Sequence, residues 1–456
     1  MPIVKSSSTH KADCDTNSRV TSSDSKTLVR AIGRWSLTAL VINSIIGSGI
    51  FGLPSTMAGL LGTRSSWAVL LAGIAVAPII ACYAEVSSYF SEAGGPYLWT
   101  RTAFGPFIGL QIGWLLWLVR LTAPAANANL FVSYLAEFWP PAREPLPRAL
   151  VLTLLLGLLA FINYRGVRAG TQVSNVFTIA KLLPLLIVVA GGLTYAVAGH
   201  PSAFTITPPS EANSWLKAIL LFVFAYGGFE GALVVMAEAR NPKRDAPFAL
   251  FAALATCVFT YTLVQWVVVR LLTDPVHSER PLADTARLFM GEGGAALVAL
   301  GALVSTYGYL SANMLAVPRI TFAFAEAGDF PRVFAAIHPR FHTPYFSIAV
   351  FAAMTWLFAL LGNFTWNVTL SAVGRLFFYA VGSAALPALR KQQPGGAWFR
   401  LPGAMAFVIA AVLICIILAT RIDLSGSLIL GATMLAALVN WLVAHRMRKP
   451  AAGSIS

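Results

Sequence analysis

Charged residues are scarce in this chain: Asp, Glu, Lys and Arg make up 11% of its 456 residues, while 57% are hydrophobic. So little charge cannot coat a soluble domain of this size, and the mean hydropathy of +0.73 agrees. Cysteine is equally sparse. Cys14, Cys82, Cys257 and Cys415 have no paired spacing, which argues against a disulfide framework or a thiolate metal site. His10, His200, His277, His338, His342 and His445 fall in tails and loops without metal-ligand spacing. A nucleophile elbow and a phosphate-cradling loop are also missing from any plausible site. The expectation is a protein that is not an enzyme and uses neither cofactor nor metal.

What the chain has in abundance is long apolar runs. A helix needs about 20 apolar residues to cross about 30 Å of hydrocarbon. Twelve such runs can be read between residues 34 and 446, predicting an all-α multi-pass membrane protein with 12 transmembrane helices in a lipid bilayer. The net charge of +14 would suit a nucleic-acid binder, but its distribution opposes that reading. With the N-terminus cytoplasmic, Arg101, Arg165, Arg168, Arg240, Lys243, Arg244, Arg390 and Lys391 all fall on the inner side, whereas basic and acidic residues balance on the outer side. That asymmetry follows the positive-inside rule. It places the chain in the cell membrane with both termini cytoplasmic, and implies no nucleic acid.

Residues 1–33 are rich in Ser, Thr, Lys and Asp and read as a disordered cytoplasmic tail, not a cleaved signal peptide. Residues 34–446 form the transmembrane domain, and residues 447–456 a second cytoplasmic tail. Two spans within that domain carry glycine-rich breaks: Gly47-Ser48-Gly49 in the first, and Gly227-Gly228 followed by Phe229-Glu230-Gly231 in the sixth. Glycines in membrane helices often serve only close packing. Two breaks at matched positions instead point to a 5+5 inverted repeat with broken helices 1 and 6. Repeat one is placed at about 34–197, repeat two at about 213–390, and helices 11 and 12 at about 402–446.

The first break has a derivable chemistry. If Ile46, Gly47, Ser48, Gly49 and Ile50 unwind, a helix starting near Phe51 presents free N–H groups and a positive dipole end to a carboxylate. The carbonyls of the preceding half-helix, around Asn43 to Ile46, suit an ammonium group. Together they fit a zwitterion held through its main-chain groups, with the Ser48 hydroxyl adding one hydrogen bond.

These residues also carry a resemblance. Asn43-Ser-Ile-Ile-Gly-Ser-Gly-Ile-Phe51, Tyr83-Ala-Glu85, Glu92-Ala-Gly-Gly-Pro-Tyr97, Ala103-Phe-Gly-Pro106, Phe224-Ala-Tyr-Gly-Gly-Phe-Glu230, Ala237-Glu238 and Asn241-Pro-Lys-Arg-Asp245 resemble, in order, the amino acid, polyamine and organocation (APC) transporter superfamily. Arg319, Ala323, Ala325, Gly328 and Phe330-Pro331 continue the match, which covers roughly 33 to 390. The resemblance implies a LeuT-type fold and alternating access. It implies a substrate-binding set of Ile46, Gly47, Ser48, Gly49, Ile50, Phe224, Ala225, Tyr226, Gly228 and Asn313. Phe224 matches an aromatic gate. Asn313 stands where the arginine/agmatine branch has a tryptophan, which argues against arginine as cargo.

Five charges lie inside spans, where charge is costly: Glu85, Arg120, Lys181, Glu230 and Arg375. Lys181 matches a lysine of proton-coupled relatives; snorkelling to the cytoplasmic face is the alternative. Glu230 matches a family glutamate linked to protonation, or is a helix-start acid held by the dipole. Arg120 and Arg375 either face the substrate path or pair with Glu85 or with carbonyls at helix ends; the structural role is taken first. The resulting expectation is a secondary transporter of neutral amino acids by proton symport. The alternatives are an amino acid exchanger, or a sensor or subunit that keeps the fold. The sequence assigns no oligomeric state.

Overall fold

The computed structural model describes residues 32–90, 95–166, 172–199, 211–233 and 239–448. Nearly all of both proposed tails, Cys14, the Glu92-Ala-Gly stretch and Ala237-Glu238 lie outside these residues. The described chain is almost wholly helical. In order it forms α1 (Arg34–Ile45), α2 (Ser48–Leu61), α3 (Ser65–Ser87), α4 (Gly95–Phe104), α5 (Pro106–Leu135), α6 (Pro145–Arg165), α7 (Gln172–Val197) and α8 (Ala212–Tyr226). It continues with α9 (Phe229–Ala232), α10 (Pro242–Leu271), α11 (Pro281–Glu326), α12 (Tyr345–Leu361), α13 (Phe364–Gln392), α14 (Ala404–Ala419) and α15 (Leu424–Arg448).

Among the described residues, eight helical stretches are long and apolar enough to cross a membrane, and three shorter apolar helices accompany them. Their ends follow local chemistry. Gly105 takes φ +89 and Pro106 opens α5, where a missing N–H costs nothing. Asn363 caps α13 by accepting from Trp366 N at 2.8 Å. At Gly291, with φ +65, the backbone of α11 leaves helical geometry, so this element bends there.

α5 packs against both α11 and α13, α10 lies against α1 and α3, and α7 lies against α11. The core therefore sits around α2, α5, α8 and α13. α6 and α15 stand at the periphery, with Leu154, Leu158, Leu428, Leu435 and Leu442 exposed. Exposed leucines in rows suit lipid and would be a liability in water.

Polar staples tie the helix ends. Glu85, fully buried on α3, takes both Arg390 Nε and Nη2 at 2.7 Å and the Leu401 backbone N–H at 2.7 Å. This corrects the sequence-based pairing of Glu85 with Arg120 or Arg375. Its partner is Arg390 on α13. At the same end Asp329 binds Tyr97 and Arg101, and Arg34 meets Asp245 at 3.6 Å. At the opposite end Glu137 holds Arg280 at 2.8 Å and also Arg287.

Removing Glu85 orphans the Leu401 N–H as well as Arg390. Glu85→Ala is therefore expected to cost about 1–3 kcal/mol and to lower the thermal midpoint of the detergent-solubilised protein by several degrees. An unchanged midpoint would show that the staple contributes nothing.

Candidate functional site

The first break is shorter than the sequence implies. α1 stops at Ile45, Ile46 turns to φ −70, ψ 103, and α2 resumes at Ser48 after an extended Gly47. Unwinding is confined to Ile46 and Gly47 instead of running to Ile50. β-Branched Ile46 accepts the extended conformation readily. No side chain caps α2, so the N–H groups of its first turn point into the protein interior without intrahelical partners.

The second break separates α8 from α9. Tyr226 ends α8, Gly227 is extended, and Gly228 takes φ +108, a conformation that favours glycine strongly. Glu230 turns back so that its Oε2 accepts from Gly228 N at 2.8 Å. The acid thus caps the start of α9.

The breaks lie against each other. Ser44 Oγ donates to Gly228 O at 2.9 Å, and a Cβ on Gly228 would collide with the Ser44 carbonyl. A Cβ on Gly49 would come within 2.8 Å of the Ala225 Cα and Cβ. Glycine at 49 and 228 is required by this close approach.

Between them lies a cavity of about 10 Å³, lined by residues that include Gly47, Ser48, Gly49, Asn127, Phe224, Ala225, Gly227, Tyr309 and Arg375. That is about the room one water needs. About one turn along α2 and α5, a vestibule of about 610 Å³ begins at Gly52 and Leu130 and is bordered by Arg143, Arg148, Glu279 and Asn363. One end of the molecule is thus hollow to within about one helical turn of the first break. At the other end, Arg34 and Asp245 join α1 to α10, and Ile32 O accepts from Arg240 N at 2.9 Å.

Arg375 dominates the wall of the small cavity. It is 3% exposed, and its Nη1 donates to Glu230 Oε1 at 3.0 Å and to the Tyr379 hydroxyl at 3.3 Å. The Tyr379 hydroxyl donates to Glu230 Oε2 at 3.2 Å. Its guanidinium fills the place where a Gly227 side chain would stand, and lies 5.9 Å from the Phe224 ring centroid. Of the two readings for Arg375, the structure brings it to the cavity, and its partner is Glu230 instead of Glu85 or helix-end carbonyls.

The other expected residues divide. Gly47, Ser48, Gly49, Phe224 and Ala225 line the cavity. Ile46 and Ile50 are buried beside it. Tyr226 faces away, donating to Val69 O at 2.9 Å and stacking on Tyr261. Asn313 donates to Tyr309 O within its own helix at 2.9 Å, and Tyr309 takes the place at the wall. Tyr309 and Asn127 carry no glycine or charge signal, so only the fold reveals them. Lys181 is buried, with Nζ 3.3 Å from Asn43 O at the end of α1. Phe222 and Phe229 are core residues; Phe229 stacks on Tyr379.

A match to the family described as amino acid permease spans residues 32–442. The chain belongs to that family. This permease is similar to a methylthioribose transporter of Bacillus subtilis strain 168, 29% identical over 414 residues, 86% of this chain and 88% of that protein. It is 27% identical over 417 residues to a branched-chain amino acid permease of the same organism, covering 87% and 89%. An uncharacterized transporter of Mycobacterium bovis is 28% identical over 437 residues, 93% and 94% of the two chains. Family and helices together make this a multi-pass membrane transporter of the APC superfamily.

Gly228→Ala in the permease must force a positive φ and push on the Ser44 carbonyl, so a loss of about 2 kcal/mol or more is expected. Gly157→Ala on α6, where a Cβ meets open space, is the control and is expected to be neutral or stabilising by up to about 1 kcal/mol. Equal thermal midpoints for the two variants would contradict the reading of the packed breaks.

Proposed function

We propose that this permease carries α-amino acids across the cell membrane by alternating access, coupled to protons. One observation carries this reading: the first broken helix presents both an uncapped helix start at Ser48 and a helix end at Ile45 to one small cavity. The first suits a carboxylate and the second an ammonium group. The relatives named for methylthioribose and for branched-chain amino acids support small-solute transport without choosing the solute.

The helices fit a scheme of twelve spans if α1–α2 and α8–α9 each cross as one broken helix, α11 crosses once after its bend, and α4 lies outside the count. The inverted repeat then pairs α1–α2 with α8–α9, and α14 and α15 stand outside it. With both termini cytoplasmic, the vestibule opens outward and the Arg34 to Asp245 contact closes the inner side. That is one state of an alternating cycle.

Lys181 is the proposed proton site. It is buried, and a single bond to a neutral carbonyl ties α7 to α1, so losing or gaining a proton changes that tie directly. Glu230 is less suited to this task than the sequence implies. Both its oxygens already accept, from Arg375, Tyr379 and Gly228 N, and it serves as the fixed partner of Arg375. The expectation of neutral side chains loses its ground as well, because an arginine forms part of the wall.

Uptake of a labelled amino acid panel into proteoliposomes, with and without an inward proton gradient, tests the reading. Gradient-driven accumulation into empty vesicles is expected, and Lys181→Ala is expected to abolish it while ligand-induced thermal stabilisation persists. Flux only into preloaded vesicles would make the permease an exchanger. Pumping by the Lys181 variant would remove the lysine from the coupling step.

A further inference from the structure

We propose that Arg375 reads the substrate side chain and that the preferred cargo is an α-amino acid whose side chain ends in a carboxylate. This rests on the amino acid transport reading and assigns its side-chain class.

The argument starts from partners that are missing. Arg375 Nη1 is committed to Glu230 and Tyr379, but its Nε is buried without a partner. Ser48 Oγ and Asn127 Oδ1, at the same cavity, are buried and equally unpaired. Buried polar atoms are nearly always satisfied, and a cluster of three at one cavity points to a polar ligand that completes them. Their chemistry divides the ligand. Ser48 lies at the uncapped start of α2 and takes the α-carboxylate. Asn127 Oδ1 only accepts, and so faces a donor such as the α-ammonium. The remaining donor is the guanidinium edge, and we assign it an acceptor on the side chain, since the α-carboxylate is placed at the start of α2.

Charge narrows that acceptor to an anion. Two guanidiniums approach this region: Arg375 in the wall, and Arg120, whose Nη2 lies 3.8 Å from the point that a Cβ on Gly231 would occupy. One carboxylate, Glu230, stands between them, and its oxygens are already engaged. A second carboxylate would balance the cluster, and a guanidinium fork matches its geometry. The Phe224 ring stacks 5.9 Å from the same guanidinium, an apolar face beside the charge. A branched apolar side chain placed there would leave Nε unpaired, a cost that selects against it.

Competition against the best-transported labelled amino acid in proteoliposomes tests this, with glutamate, aspartate, glutamine, alanine and leucine as competitors. Glutamate or aspartate is expected to outcompete glutamine and leucine by about tenfold or more. The double substitution Arg375→Gln with Glu230→Gln, which removes both charges together, is expected to collapse that ratio toward one. A purely structural arginine would lower the amount of folded protein and leave the ranking intact. Transport of alanine or leucine with no competition from the acids would overturn the carboxylate class while amino acid transport stands. No transport of any amino acid would overturn both readings. Should the double variant not fold, the ranking in the unmodified protein still decides the substrate class.

Discussion

Hydrocarbon offers the backbone no hydrogen-bond partners, and the rest of this structure answers to that constraint. Two helices nevertheless break, at Ile46-Gly47 and at Gly227-Gly228, and the breaks are set back to back so that each supplies part of what the other lacks. Ser44 bonds the Gly228 carbonyl, and Glu230 turns back to the Gly228 N–H. The glycines follow from this arrangement. At 49 the neighbouring break leaves no room for a side chain, at 227 the Arg375 guanidinium takes the space, and at 228 the backbone is left-handed and pressed against Ser44. What remains unsatisfied, the first-turn N–H groups of α2, is where a ligand's charge can enter.

The buried charges form two systems with different work. Glu85, Arg390 and the Leu401 N–H join α3, α13 and the segment before α14 in a closed set whose geometry leaves the carboxylate fully engaged. The Arg375, Glu230 and Tyr379 set is also tight, yet it is incomplete by one donor and faces a cavity. Buried ion pairs contribute little net stability against an apolar alternative, so an incomplete one in a cavity wall is hard to explain as scaffolding. Both arginines ride on α13, which is thereby held at mid-depth to the second break and at one end to α3.

Much of this was legible in the residues. Apolar runs announced the spans, and the glycine clusters announced both breaks at the right positions, because glycine and hydrophobicity are local signals. The extent of the first break was overread: Ser48, Gly49 and Ile50 return to helix, since once the turn is made at Ile46 and Gly47 nothing prevents helical bonding. The family resemblance puts Asn313 at the wall, but its amide closes on Tyr309 O within its own helix, and which face of α11 meets the cavity depends on packing. The partners of Glu85, Glu230 and Arg375 lie 305, 145 and 145 residues away in the chain. No local pattern encodes such pairs, which is why the partner of the arginine in the wall is not legible in the sequence.

Two links between the broken helices and their surroundings differ in strength, and the proposed cycle uses that difference. Arg375 holds the second break through a charged pair reinforced by Tyr379 and by the filled space at Gly227, so α13 and α8–α9 have reason to keep their contact. Lys181 holds the first break through one 3.3 Å bond to the Asn43 carbonyl. A neutral amine has a lone pair and weaker donors, and a charged one has a fixed need for oxygen acceptors in a place where water is scarce. Protonation therefore strengthens the tie between α7 and α1, and deprotonation loosens it. A carrier that must alternate needs one joint that stays and one that switches, and the proposed cycle assigns those parts to Arg375 and Lys181.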